Sequence, residues 1–169
     1  MLEDCDISPV IIDAEVIRRD IFHSQNAGAQ IIIVFLHCGT EYSTEVESWL
    51  KRLVSQIAKM GADAIICTHP HVTRSWEWIK TGNRRVFVHY SLGNLLSSHS
   101  EPIYNQGELV VLFFEKIAGE YFLEDIDIIK INMILTVISR SNKISRFSRH
   151  SHPARTRNST ANPPVNNPG

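Results

Sequence analysis

At 169 residues and 19.2 kDa the chain fits one domain, and 43% hydrophobic with 21% charged residues excludes disorder over most of its length. Seventeen basic against 18 acidic residues give a net charge of -1, which excludes a general attraction to nucleic acid or anionic membrane. The balance is uneven: residues 1–127 hold all 18 acids with 10 basic residues, whereas residues 128–169 hold 7 basic residues and no acid.

In chain order, Asp13 is placed to cap a helix over about 14–26, with Val16, Ile17 and Ile21 on one face and Gly28 just past its end. Ile31 to Leu36 is a continuous apolar run, too short for a helix, and predicts a central strand buried on both faces. Thr44 and Glu47 have the spacing of a capping box. Val46, Leu50, Leu53, Ile57 and Met60 follow at steps of three or four to Gly61, which predicts a helix over 44–60. Short buried strands are expected at 64–67 and 86–90. The resulting βαβ unit makes the first two strands parallel, with their C-termini on one sheet edge. Glu108 to Glu115 and Tyr121 to Ile129 flank a Gly119 turn and predict a hairpin, with a further strand over 132–138. Trp76 and Trp78 read as packing residues, and Arg84 and Arg85 as a solvated turn. From Ser141 onward Ser, Asn, Arg and Pro dominate, which predicts a basic disordered tail over 141–169 with no nucleic-acid motif.

Three cysteines without paired spacing do not make a disulfide framework. The acidic N-terminus lacks a signal-peptide pattern. The apolar stretch Ile128 to Ile138 is interrupted by Lys130 and Asn132 and falls short of the roughly 18–20 residues of a membrane span. A soluble chain is expected.

Ligands in open α/β sheets bind beyond the carboxyl ends of the strands. There the predicted loops carry His37, then His69 and His71 around Pro70, then Ser91 and Asn94. Neutral imidazole is a common ligand for zinc, manganese and iron, so three histidines delivered to one edge make a metal site the leading expectation, with His37, His69 and His71 as ligands.

Three segments, IIIVFLHCGTEY (31–42), GADAIICTHPHV (61–72) and YSLGN (90–94), resemble consecutive motifs of the bacterial CapA, or poly-gamma-glutamate capsule biosynthesis, family. That family is similar to the calcineurin-like metallophosphatases, and the resemblance spans roughly residues 10–140. It implies a four-layered α/β/β/α sandwich with a two-metal centre of manganese, iron or zinc. It places His37 and His69 on one metal and His71 on the other, Ser91 and Asn94 in the site wall, and Glu41 where it orients His37 or meets substrate. It also implies a capsule-related, metal-dependent hydrolase of phosphoester or related bonds, acting beside the capsule polymer or its synthesis machinery. The complete family protein is expected to be membrane-anchored and envelope-facing.

Cys38 stands where the family generally has Trp, and Cys67 and Thr68 stand where it has Gly and His. The Asp-x-His, bridging Asp and Asn ligands of the superfamily's first half are not found here. Residues 1–140 therefore read as the C-terminal part of such a sandwich with its N-terminal half absent. Three neutral ligands without a bridging carboxylate hold at most one weakly bound ion, so the isolated chain is expected to be inactive. The alternative is a non-catalytic remnant that pairs with the missing half or with itself.

Overall fold

The structure, a computed structural model, describes residues 12–97 and 101–133. The helix α1 (Ala14–Asn26) starts where Asp13 accepts hydrogen bonds from the Glu15 and Val16 amides, and its inward face carries Ile21. It leads to β1 (Ile33–His37), α2 (Ser48–Lys59) and β2 (Ala64–Thr68). The hairpin β3 (Trp76–Thr81) and β4 (Arg84–His89) follows, then a 3-10 turn (Pro102–Asn105) and the long hairpin β5 (Gln106–Ile117) and β6 (Glu120–Asn132).

Four strands form one mixed sheet in the order β1-β2-β4-β3. β1, β2 and β4 run parallel, with Ile33 opposite Ala64 and His37 opposite Thr68, and β3 runs antiparallel to β4. Both helices cover one face. Leu50, Val54 and Ile57 of α2 are fully buried there in a core with Ile65, Cys67, Val86 and Val88. The hairpin β5-β6 covers the other face, where Leu123 and Ile126 pack with Ala64, Ile66 and Phe87. The described residues thus build three layers, helices, sheet and hairpin, as the α/β expectation requires. All three parallel strands end at the same edge, which is what gathers the histidine loops.

Several expectations need correction. The run 31–36 was expected to be buried on both faces, yet β1 is an edge strand with Ile33 38% and Phe35 71% exposed. Its helix-side face is covered, but the β5-β6 hairpin lies over β2 and β4 and leaves these two side chains open. The helix expected from 44 begins only at Ser48. Glu47 is its N-cap by position but makes no side-chain cap bond, because its carboxylate is taken by Arg74. β3 was not foreseen as a strand: Gly82-Asn83 closes a two-residue hairpin turn with Gly82 at φ 57°, pairing Thr81 with Arg84. Trp78 packs on Phe87 at 5.4 Å between ring centroids, as a packing residue should. Arg84 and Arg85 are not simply solvated. Arg84 pairs with Asp63, and Arg85 lies 4.4 Å over the Trp78 ring and donates to the Glu124 carbonyl. Cys67 is fully buried in β2. The expected strand over 132–138 lies outside the described residues beyond Met133, as does the tail.

Candidate metal centre

β1 delivers His37 at its last position, with the ring at the mouth of the sheet edge. Thr68, its partner in the β1-β2 register, sits beside it: the Thr68 hydroxyl donates to the Leu36 carbonyl at 3.4 Å and lies 3.1 Å from His37 Nδ1. With that hydroxyl hydrogen committed, His37 Nδ1–H donates to it and His37 Nε2 carries the lone pair. His69 Nδ1 stands 3.2 Å from this nitrogen, and the two rings are 4.8 Å apart, edge to face. Two nitrogens on a metal with Zn–N bonds of about 2.1 Å are separated by roughly 3.0–3.4 Å when they are adjacent ligands, so this pair has ligand spacing.

His71 lies farther off, its ring centroid 6.2 Å from that of His69. Asn94 orients it from both ends. The Asn94 amide nitrogen donates to the carbonyls of His71 (3.1 Å) and Tyr104 (2.8 Å), so its oxygen faces His71 Nδ1 at 2.9 Å and accepts from it. His71 Nε2 is left with the lone pair, the form in which a histidine ligates. His69 and His71 both have positive φ, 105° and 61°, flanking buried Pro70. Non-glycine residues avoid this region, and strained backbone of this kind concentrates at functional sites.

The three histidines therefore share one edge as a close pair and a third nearby. Among the described residues, no group of three or more His, Cys, Asp or Glu side chains forms a ligand set for one ion. Glu41 is exposed on the turn after β1, and the hydrogen bond at His37 Nδ1 is to Thr68. Ser91 is buried in the wall, where its hydroxyl accepts from the Gly93 amide.

Sequence reasoning missed Arg74, whose fully buried guanidinium ties the loops together. It donates to both Glu47 oxygens at 2.9 and 3.2 Å and to the carbonyls of Ser43 and Thr40, clamping residues 40–43 just beyond His37. A Cβ on Gly39 would come within 2.9 Å of Arg74 Nη1, and Gly39 also sits at φ 114°, so glycine is required there on both counts. Burial opposes ionisation of Glu47, but hydrogen bonds from Arg74 and Thr40 outweigh it and hold the carboxyl at about 2, below its ordinary 4.5. A depressed carboxyl contributes stability that is complete above the unfolded value and lost as pH falls through the folded one. Thermal unfolding followed from pH 6 down to about 2.5 should therefore show an acid-side loss of Tm that Glu47→Gln lacks; equal losses in both would refute the assignment.

The profile of the bacterial capsule synthesis protein PGA_cap family matches residues 3–99, which include His37, His69, His71 and Asn94. The chain belongs to this family. The PGA_cap match ends before β5, so the long hairpin lies beyond it. The capsule biosynthesis protein CapA of Bacillus anthracis is 32% identical over 72 residues, 43% of this chain and 16% of that protein. The aligned stretch is thus a small part of the CapA relative. Among the described residues, no helix is long and apolar enough to cross a membrane.

Proposed function

We propose that the strand-end histidines form the imidazole side of a metal-dependent, phosphoesterase-type hydrolase site serving capsule biosynthesis. The observation that carries this reading is the 3.2 Å approach of His37 Nε2 and His69 Nδ1, with the His37 lone pair set by Thr68. His37 and His69 would hold the first cation, manganese, iron or zinc, with the His69 proton moved to Nε2. His71 would face a second. A cation bound there lowers the pKa of its water and polarises a phosphoryl oxygen. Thr68 and Asn94 supply the fixed orientation, Arg74 holds the loop behind His37, and the strained turn at His69-Pro70-His71 aims both rings outward.

Carboxylates, which normally hold two dications side by side, do not join these histidines among the described residues. In this reading they come from a completing segment, and the three layers seen here belong to an α/β/β/α sandwich. Catalysis by these residues alone is then not expected. The open face of β1, with Phe35 71% exposed on the strand that bears His37, favours the related second reading, a module that pairs with such a segment or with itself. Capsule polymer or its synthesis machinery at an envelope-facing membrane would be the setting.

Metal analysis after incubation with manganese or zinc tests the first reading. Up to about one equivalent should be retained, and His37→Ala and His69→Ala should each weaken binding more than tenfold while His71→Ala has a smaller effect. Retention below about a tenth of an equivalent would reject the metal site and leave the pairing module.

A further inference from the structure

Tyr42 occupies a backbone conformation that its side chain disfavours, at φ 60°. A bulky aromatic residue in the left-handed region persists only where its surroundings hold it. Two contacts do so. The Tyr42 amide donates to the Pro70 carbonyl at 2.7 Å, and its ring stacks on His71 with centroids 5.7 Å apart and planes 27° from parallel. Burial does not explain the conformation, since Tyr42 stays 44% exposed.

The stacking partner is itself in the left-handed region, and its hydrogen bonds come from another loop. Asn94 takes His71 Nδ1–H and the His71 carbonyl, and Asn94 also holds the carbonyl of Tyr104. The Tyr104 ring lies 4.8 Å from that of Tyr42 and supports it from behind. The loops after β1 and β4 thus meet the imidazole carried by the loop after β2, with the 3-10 turn bound to both through Tyr104. Asn94 fixes its in-plane direction. Tyr42 covers a face and fixes its tilt.

We infer that Tyr42 is the positioning residue for His71: its ring, through the stack, holds the His71 imidazole so that Nε2 faces the strand-end site. The inference deepens the metal-site reading and rests on it for the function of His71, but the orientation itself can be measured without metal. The stack is made by the ring, which phenylalanine keeps, so Tyr42→Phe should hold His71 as the parent does. Tyr42→Gly removes the ring while suiting the left-handed backbone, and so separates positioning from folding.

The test uses the full chain, with ring nitrogens observed by NMR and affinity measured for manganese and zinc. In the metal-free parent and in Tyr42→Phe, His71 should show one neutral tautomer, protonated at Nδ1, and a restrained ring. In Tyr42→Gly, with Asn94 still accepting from Nδ1–H, the ring should keep that tautomer but lose its restraint, with the fold retained. The ion this chain retains sits on His37 and His69, so Tyr42→Gly should weaken it no more than His71→Ala does, and Tyr42→Phe by less than about twofold. A His71 ring unchanged in Tyr42→Gly, or released equally in Tyr42→Phe, would overturn the inference. If the parent binds no metal, the site reading fails while the ring motion still decides the role of Tyr42. Should Tyr42→Gly not fold, Tyr42→Leu, which keeps bulk without a stacking face, is held to the same His71 criterion.

Discussion

Replacing Arg74 with methionine is expected to destabilise the chain by about 3–5 kcal/mol, the range found when one partner of a buried ion pair is removed. The guanidinium has no exposed surface, and the Glu47 side chain retains 19%. Methionine would fill much of the space but leave the Glu47 carboxylate without its charged partner, and leave the carbonyls of Thr40 and Ser43 without their Arg74 bonds. Urea unfolding at pH 7 gives the magnitude. Arg74→Met with Glu47→Gln should cost clearly less than Arg74→Met alone, because the second change removes the stranded charge. A double variant as unstable as the single one would mean that the carbonyl contacts, and not the ion pair, dominate.

Gly107→Ala should lower stability by roughly 2–3 kcal/mol and disturb the site as well, through overpacking against backbone that cannot rotate away. A Cβ there would lie 2.2 Å from the Asn94 carbonyl oxygen and 2.8 Å from its carbon. Gly93 and Gly107 bridge the two segments, and the Asn94 amide donates to the Gln106 carbonyl, so relief must come from moving Asn94. Asn94 orients His71, hence the same substitution should also loosen the His71 ring. Gly119→Ala is the control: it has φ 96° but nothing within 4 Å of its Cβ, and so costs only the backbone preference, about 1–2 kcal/mol. Equal unfolding midpoints for the two variants would contradict the steric account.

How much was legible in the sequence follows from the range of the interactions involved. Asp13 caps α1 through amides two and three residues away, so a local pattern foretold it. Glu47 shows the opposite: its spacing from Thr44 matches a capping box, but the guanidinium that claims it lies 27 residues on. β1 read as central because its run is wholly apolar, yet burial of Phe35 depends on whether another layer reaches it. β3 was missed because its Trp and charged residues alternate weakly and its partner is needed to see the ladder. The placement of His37, His69 and His71 on one edge was readable from the βαβ pattern. The left-handed backbone at Tyr42, His69 and His71 was not, since nothing in those residue types signals it.

The exposed face of β1 also bears on chemistry. Phe35 and His37 are alternate residues of one strand and project to the same side of the sheet. Whatever polypeptide comes to cover Phe35 therefore also determines how wet His37 is, and with it the local dielectric in which charge on a bound cation and its water would be felt. Assembly and reactivity are thereby joined through two residues: a bare β1 leaves His37 under bulk water, and a covered one places it in a medium where the same imidazole acts more strongly on a nearby charge.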